Sequence, residues 1–372
     1  MTAIIILAFA CPCALSAAAT YVVRAWAMKH GFVDTPAGHK QHAQPVALGG
    51  GVALLVATCA PLLIGCGVVW LTDAPAAWWP QVVRTHAEGI AAKAPMVLAV
   101  VAGAVVLHVV GLIDDRRALG PWAKLSVQFA VAAFIAGPIG IRAVEFLPAP
   151  VSFAVTVFWI VLITNAFNFL DNMDGLSAGV AAVAAAIFAT ASLGAGQVFV
   201  PIMAFVAAGA LAGFLPFNFS PASIFMGDAG SLVVGYLMAV ITILVTFYDR
   251  AHALSPLGVL VPLLVLAVPL YDVASVVTLR MRVGKSPLRG DHRHFSHRLV
   301  RRGMTPRGAV LTIYLATAAT GLSAVVVPRV PWPSAVLLLV QCACVVLIIA
   351  ILEHTTIARN NDPRRENDPQ PR

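Results

Sequence analysis

Charged residues are scarce in this sequence. Asp, Glu, Lys and Arg make up 11% of its 372 residues, about half the fraction usual in a soluble domain, whereas 60% of the residues are hydrophobic. Apolar runs long enough to cross a bilayer, about 20 residues, recur along the chain. The composition therefore excludes a soluble globular protein. It predicts an all-α, polytopic integral membrane protein with the lipid bilayer as its surroundings.

Cysteine motifs are also missing. No two of the six cysteines are spaced Cys-x-x-Cys, and all of them fall within apolar runs: Cys11, Cys13, Cys59, Cys66, Cys342 and Cys344. They are predicted to be small buried residues rather than parts of a zinc site or a disulfide framework. The first apolar run has no basic segment before it, which argues against a cleaved signal peptide.

The apolar runs predict about eleven transmembrane helices, at about 3–23, 46–71, 95–113, 120–141, 147–166, 178–194, 198–216, 230–247, 255–277, 308–328 and 333–352. If the loop at 24–45 is cytoplasmic, strict alternation places 19 of the 24 Lys and Arg residues on the cytoplasmic side. This bias predicts an N-terminus outside and a cytoplasmic C-terminus. Residues 1–352 are predicted to form one membrane-embedded domain, and 353–372 a disordered polar cytoplasmic tail.

The net charge of +8 is explained by this topology, so no nucleic-acid partner is expected. No predicted span carries a charge near its middle, where a secondary transporter more often places its ionisable residues. The carboxylates lie instead in or beside the predicted cytoplasmic loops: Asp34, Asp114, Asp115, Asp171, Asp174, Asp228 and Asp291. The sequence therefore predicts a functional surface on the cytoplasmic face.

The densest polar stretch is 165–175, at the end of an apolar run. Its polar residues recur at intervals of three: Asn165, Asn168, Asp171 and Asp174. On an α-helix each step of three turns about 300°, so neighbours share a face while the ends of the row drift apart. The helix is therefore predicted to stop near Asp171, with a turn at Asp174–Gly175 that uses the backbone freedom of glycine.

Three further motifs at span ends allow two interpretations each. Asp114 and Asp115 are either solvated residues paired with the arginines that follow them, or a site for a divalent cation or a proton. Asp228, which is flanked by glycines, is either a helix cap or a cation ligand beside backbone N–H groups that suit phosphate. The three glycines at 49–51 allow close approach either of another helix or of a ligand.

The longest predicted cytoplasmic loop, 278–307, contains three histidines among arginines. A zinc site typically also has cysteine or further acidic ligands, and the sequence near these histidines lacks them. Histidine and arginine together suit a phosphate-bearing ligand, and anionic lipid headgroups are the simpler alternative. Asp272, at the end of the ninth predicted span, is expected to pair with an arginine of this loop.

Together these motifs resemble the polyprenyl-phosphate N-acetylhexosamine-1-phosphate transferases of the WecA/TagO/MraY superfamily, up to about residue 320. The motifs that carry the resemblance are Asp34-x-Pro36…Lys40-x-His42…Gly49-Gly50, Asp114-Asp115, Asn165-x-x-Asn168-x-x-Asp171-x-x-Asp174-Gly175, Phe225-x-Gly227-Asp228-x-Gly230-Ser231 and the histidine loop. Two positions depart from the family pattern. His39 stands where the family usually has arginine, and Ser296 stands where it has histidine, which leaves His294 and His297 as the transferable histidines.

The resemblance implies transfer of a sugar-1-phosphate from a UDP-N-acetylhexosamine to undecaprenyl phosphate, with release of UMP, at the cytoplasmic face of a bacterial inner membrane. It implies Mg²⁺ as the cofactor, with Mn²⁺ as a substitute. The loop forms favour UDP-GlcNAc over UDP-N-acetylmuramoyl-pentapeptide as the donor. A non-catalytic transporter of lipid-linked sugars would share the topology but would not need four acidic clusters on one face. A homodimer is compatible with the lipid-exposed helix faces.

The resemblance also implies residue roles. Asp228 would bind Mg²⁺, with Asp115 beside the metal, and Asp114 would accept a proton from the lipid phosphate or orient it. Asp171 would line the pyrophosphate and metal region, so the implied catalytic residues are Asp114, Asp115 and Asp171. Phe225 would stack on uracil. The implied substrate-binding residues are Lys40, Lys124, Asn168, Asp174, Asn218, Phe225, His294, His297 and Arg298.

Overall fold

The computed structural model describes residues 2–35, 44–70, 79, 81–245, 255–284, 286 and 294–353. The α-helices of these residues are α1 (Thr2–His30), α2 (Gly50–Trp70), α3 (Gln81–Arg116), α4 (Pro121–Ala136), α5 (Ala149–Leu170), α6 (Leu176–Gly194), α7 (Phe199–Asn218), α8 (Gly227–Leu244), α9 (Val261–Val265), α10 (Ala267–Arg282), α11 (Phe295–Arg301), α12 (Pro306–Val326) and α13 (Trp332–Leu352). Two short strands, β1 (Val33–Asp34) and β2 (Val46–Ala47), pair antiparallel between α1 and α2.

The multi-pass helical architecture is confirmed. Among the described residues, nine helices are long and apolar enough to cross a bilayer: α1, α2, α3, α5, α6, α7, α8, α12 and α13. A tenth candidate is the pair Pro256–Val265 and α10, which is bent by 67° at its break, so the ninth predicted span is not one straight helix. Every predicted span thus has a helical counterpart, and the count of eleven stays a prediction.

The fourth predicted span, 120–141, is shorter than expected. The corresponding helix α4 has 16 residues and ends at Ala136. It is therefore about 24 Å long, less than the hydrocarbon core of about 30 Å. Gly137 caps it and Pro138 follows, and neither residue continues a helix easily. The hydropathy of the run continues past the point where the helix stops.

Helix α8 is the centre of the bundle. In its apolar stretch 78% of the residues are buried, compared with 17% in α1 and in α13. Helices α2, α3, α5, α6 and α7 contact it, whereas α1 packs on α2 and α7, and α13 packs on α12. The N-terminus of α8 therefore lies among the ends of α2, α3 and α5, and this is where the predicted site residues meet.

Glycines allow the backbones to come together at this point. A methyl group on Gly51 of α2 would lie 2.4 Å from the Gly230 nitrogen, and one on Gly111 of α3 would lie 2.4 Å from the Ala229 nitrogen. The Gly51 N–H also donates to the Met226 carbonyl at 3.1 Å. The glycines of α2 thus approach another helix, as the packing interpretation of 49–51 predicts.

Gly51→Ala is expected to lower the melting temperature of the purified protein in detergent. The added methyl group would force two backbones apart, which costs about 1–3 kcal/mol. Gly67→Ala on the same helix is the matched control, because nothing lies within 4 Å of the added group. The control should melt like the wild type or slightly above it, since alanine favours helix. Equal melting of the two variants would contradict the close approach.

The predicted helix end and turn at 171–175 are confirmed. Helix α5 ends at Leu170 with Asp171 as its C-terminal cap, and Gly175 adopts a left-handed conformation with φ of 74° just before α6. The Gly175 N–H donates to the Asn218 side-chain oxygen at 3.2 Å. The loop between α5 and α6 is therefore tied to the end of α7.

The cysteines are free in this structure. Cys59, Cys66 and Cys342 are buried, as predicted. Cys11 and Cys344 are exposed, contrary to the prediction, because α1 and α13 form the outer faces of the bundle.

Candidate active site

A cavity of about 1110 Å³ opens where these helix ends meet. It slightly exceeds the range of about 300–1,000 Å³ typical of small-molecule sites. Its lining comes from the ends of α1, α3, α5, α7, α8 and α11 and from β2. Six residues predicted from the sequence to act on the reacting groups or the nucleotide line it: Asp115, Asp171, Asp174, Asn218, Phe225 and Asp228. The predicted substrate contact His297 lines it too. The cavity therefore brings together motifs that lie far apart in the sequence, from Asp115 to His297.

Asp115 caps the central helix from a neighbouring one. Its Oδ1 accepts the Asp228 N–H at 2.8 Å and its Oδ2 accepts the Ala229 N–H at 3.2 Å. Gly227 has φ of 66°, and a methyl group there would lie 2.5 Å from the Asp115 carboxylate. A carboxylate is favoured at this position because the helix dipole is positive at its N-terminus. Asp115, rather than Asp228, thus has the capping role.

Lys124, at the start of α4, joins two of the carboxylates. Its Nζ donates to Asp114 Oδ2 at 2.9 Å and to Asp228 Oδ2 at 2.8 Å. Asp114 Oδ1 also accepts the Leu119 N–H at 2.6 Å. The interpretation that pairs Asp114 with the arginines after it is wrong: its cation is Lys124, and the Arg116 guanidinium lies over an aromatic ring instead.

The polar residues at intervals of three along and after the end of α5 hydrogen-bond to different elements. Asn168 Nδ2 donates to Asp228 Oδ1 at 2.9 Å and to Ser231 Oγ at 2.9 Å. Past the helix end, Asp174 Oδ2 accepts the Ala222 N–H at 3.0 Å. Residues at intervals of three were predicted to turn gradually to different sides, and they do: Asn168 faces α8, whereas Asp174 faces the loop after α7.

Negative charge is in excess around the cavity. Burial raises the pKa of Asp171 well above its usual range, and the nearby charges of Asp228, Asp115 and Asp174 raise it further. Lys124 neutralises Asp114 and Asp228 only in part, since one ammonium faces two carboxylates. Carboxylates that repel one another in a partly buried cavity favour a bound cation.

The donor set fits Mg²⁺. Within the described ranges, no three His, Cys, Asp or Glu side chains are arranged to enclose a metal ion. Mg²⁺ does not need such a cage, because it binds through one or two carboxylates and keeps the rest of its shell for water and phosphate oxygens. Asp115 and Asp228 both line the cavity and supply oxygens of this kind.

The comparison with known proteins agrees with this geometry. Residues 97–246, which contain Asp114, Asp115, Asn168, Asp171 and Asp228, match the model of glycosyl transferase family 4. A Bacillus subtilis protein named "Probable undecaprenyl-phosphate N-acetylglucosaminyl 1-phosphate transferase" is 30% identical in an alignment of 318 residues that covers 82% of this chain and 80% of that protein. The chain belongs to glycosyl transferase family 4.

Other relatives of this family 4 protein carry similar names. The "Decaprenyl-phosphate N-acetylglucosaminephosphotransferase" of Mycolicibacterium smegmatis is 33% identical and covers 80% of this chain and 75% of its own length. The "Undecaprenyl-phosphate alpha-N-acetylglucosaminyl 1-phosphate transferase" of Escherichia coli K12 is 28% identical and covers 80% of this chain and 77% of its own length. All three names describe a polyprenyl-phosphate acceptor and a GlcNAc-phosphate group.

Four predicted substrate-binding residues of the family 4 protein do not line the cavity: Lys124, Asn168, His294 and Arg298. Lys124 and Asn168 hydrogen-bond to Asp228, which does line it, whereas His294 and Arg298 have other partners. His294 is buried with its Nδ1 2.7 Å from Asp272 Oδ2, so among the described residues the partner that this loop gives Asp272 is a histidine and not the expected arginine. Arg289 and Arg293 of the loop lie outside the described residues. Arg298 donates to the Glu353 carboxylate at 2.7 Å. Lys40 lies outside the described residues.

The residues predicted for the nucleotide pocket do come together in the family 4 protein. Asp174, Asn218 and Phe225 line the cavity, and so does His297 of α11. The Asn218 side chain is buried and also donates to the Ile224 carbonyl at 3.0 Å. Asn218 therefore shapes the wall of the pocket as well as lining it.

Among the cavity-lining residues that sequence reasoning missed are Arg24, Asn172 and Arg301. Asn172 Nδ2 donates to the Phe169 carbonyl at 2.6 Å, and its Oδ1 accepts from Ser296 Oγ at 2.6 Å. The serine that replaces a family histidine thus links α11 to the turn after α5. The signal for Asn172 was its place beside Asp171, whereas Arg24 gave none beyond its place at the end of a span.

Proposed function

We propose that this protein transfers GlcNAc-1-phosphate from UDP-GlcNAc to a polyprenyl phosphate, with undecaprenyl phosphate as the expected acceptor, and releases UMP. The observation that carries the proposal is the cavity at the ends of membrane helices that Asp115, Asp171 and Asp228 line, with Lys124 joining Asp228 to Asp114 beside it. A lipid phosphate and a soluble nucleotide sugar can meet only at such a boundary. The names of the relatives support the same acceptor and sugar.

The reaction joins two anions. An oxygen of the lipid phosphate attacks the β-phosphorus of the donor, the bond between that phosphorus and the bridging oxygen breaks, and UMP leaves with the electron pair. The bond between the sugar and the β-phosphate stays intact. Because phosphate attacks pyrophosphate, catalysis depends on neutralising negative charge at the reacting oxygens.

The aspartates have separate tasks in this proposal. Asp228 and Asp115 would hold Mg²⁺, which supplies positive charge to the pyrophosphate when bound. Asp114 would orient the lipid phosphate or take its proton, and Lys124 keeps Asp114 beside Asp228. Asp171 would line the pyrophosphate region on the cavity side of the turn.

The opposite part of the cavity would bind the donor. Phe225 would stack on uracil, with Asp174 and Asn218 beside the base. His297 and Arg301 would face the phosphates, since an imidazole and a guanidinium both donate hydrogen bonds to phosphate oxygens. The Asn168 amide would keep Asp228 in place between the two substrates.

The proposed location is a bacterial inner membrane, with the N-terminus outside and the cavity open to the cytoplasm. The distribution of Lys and Arg supports this orientation, because basic residues favour cytoplasmic loops. The apolar outer faces of α1 and α13 would meet lipid, or a second copy of the chain in a homodimer.

The lipid product tests the donor directly. Purified protein is incubated with Mg²⁺, undecaprenyl phosphate, carbon-13-labelled UDP-GlcNAc, unlabelled UDP-GalNAc and UDP-N-acetylmuramoyl-pentapeptide, and the lipids are analysed by mass spectrometry. The expected product is undecaprenyl-pyrophosphate carrying labelled GlcNAc. A muramoyl-pentapeptide product would overturn the donor assignment, and unchanged UDP-sugars would favour a transporter.

Removal of divalent cations is expected to abolish UMP release. The carboxylates around the cavity repel the phosphates of both substrates unless a cation lies between them. UMP release is measured after treatment with EDTA and after addition of excess Mg²⁺ or Mn²⁺, each of which should restore turnover. Turnover that persists in EDTA would count against the metal-assisted mechanism.

A further inference from the structure

A buried carboxylate ties the end of α13 to two other helices. Glu353, which follows α13, has only 4% of its surface exposed. Its Oε1 accepts from the Tyr271 hydroxyl of α10 at 2.9 Å, and its Oε2 accepts from Arg298 of α11 at 2.7 and 3.1 Å. Its main-chain oxygen accepts from Arg302 Nε at 3.1 Å. Glu353, the first residue of the predicted tail, is thus part of the folded bundle, and residues 354–372 lie outside the described part.

Helix α11 depends on such contacts for its orientation. It has seven residues, fewer than the roughly 12–15 that a helix needs to be stable by itself. At its N-terminal end, Asp272 accepts the Phe295 N–H at 3.2 Å. Phe295 and Leu299 are buried against the bundle. At its other end, Arg298 and Arg302 bind Glu353, and Arg298 Nη2 also donates to Ser275 Oγ of α10 at 3.0 Å.

The same short helix has a cavity face and an anchoring face. His297 and Arg301 are four residues apart, so they share a face, and both line the cavity. Arg298 is turned about 100° from His297 and binds Glu353. We propose that Glu353 is a positioning residue for donor binding: through Arg298 it sets the angle at which α11 presents His297 and Arg301 to the donor phosphates. This inference rests on the proposed function.

The reacting groups belong to other elements. The carboxylates that would handle the metal and the lipid phosphate are on α3 and α8. They accept hydrogen bonds from Lys124, from Asn168 and from backbone N–H groups of α8 and the α3–α4 loop. A change in the angle of α11 therefore weakens donor binding more than the chemical step. The expected signature is a raised KM for UDP-GlcNAc with a nearly constant kcat.

The test uses the full-length protein with two substitutions of Glu353. Glu353→Gln removes the charge and Glu353→Leu removes the hydrogen bonds as well. Both are expected to raise the KM for UDP-GlcNAc by about tenfold while kcat changes by less than about threefold. Glu145→Gln, at an exposed glutamate, is the matched control and should keep the wild-type KM. A fall in melting temperature and kcat with an unchanged KM would overturn the proposal, because it would show a purely structural role.

A double-mutant cycle tests whether the effect passes through α11. His297→Ala is measured in the wild type and in Glu353→Gln. If Glu353 acts by placing His297, the second substitution raises KM by a smaller factor in the variant than in the wild type. Independent, multiplying factors would overturn the proposal. A wild type that releases no UMP contradicts the proposed function itself, whereas an active wild type with unaffected Glu353 variants contradicts only this inference.

Discussion

Asp228→Asn is expected to reduce UMP release by about a thousandfold. The substitution keeps the shape of the side chain but removes a charge at the N-terminus of the central helix, where Lys124 lies at 2.8 Å and Asn168 at 2.9 Å. An amide cannot replace a carboxylate as a ligand for Mg²⁺ beside two phosphates. Initial rates of UMP release at saturating substrates measure the effect.

Two controls separate loss of chemistry from loss of fold. Glu88→Gln makes the same chemical change at an exposed position on α3 and should keep full turnover. Asp228→Asn itself should melt close to the wild-type temperature, because removing one carboxylate relieves repulsion around Asp171. Full activity of Asp228→Asn would show that the metal assignment is wrong.

Lys124→Met is expected to lower kcat by about a hundredfold. The Lys124 ammonium bonds to Asp114 and Asp228 at 2.9 and 2.8 Å, and its removal leaves two carboxylates facing each other without a cation. Both would then shift away from the positions in which they meet the substrates. Steady-state kinetics with saturating UDP-GlcNAc and lipid phosphate give kcat.

Lys124→Arg and Lys93→Met are the comparisons for this prediction. Arginine keeps the charge but presents a planar fork, so an intermediate rate is expected. Lys93 is exposed on α3, and its replacement by methionine should leave kcat unchanged. Wild-type turnover in Lys124→Met would contradict the role given to the bridge between Asp114 and Asp228.

Local features of the fold could be predicted from the sequence because their causes are local. The interval of three between Asn168, Asp171 and Asp174 cannot continue on one face of a helix, and Gly175 provides the turn. The short α4 and the bent ninth span escaped prediction because hydropathy ignores helix breakers. Gly137 with Pro138, and Pro269, which cannot donate a hydrogen bond to the carbonyl of Val265 at the break of the bent pair, were the available signals.

The partners of the charged residues could not be predicted in the same way. Lys124 and Asp228 are 104 positions apart, and Arg298 and Glu353 are 55 apart. Sequence offers several carboxylates for each basic residue, and only the packing of the helices selects one. Neighbouring residues of one motif can even differ in this respect, because His297 lines the cavity whereas Arg298 binds Glu353. The resemblance to the family identified the histidine loop. It could not show that α11 directs His297 toward the cavity and Arg298 toward Glu353.

The fate of the β-phosphate of UDP-GlcNAc tests the central claim most directly. UDP-GlcNAc is radiolabelled in its β-phosphate and incubated with the protein, Mg²⁺ and undecaprenyl phosphate, and the lipid and aqueous phases are separated. Transfer of the sugar together with its phosphate predicts that the label enters the lipid phase in equal amounts with GlcNAc, while unlabelled UMP appears in the water. Label that stays in the aqueous phase as UDP, with GlcNAc alone on the lipid, would contradict the account.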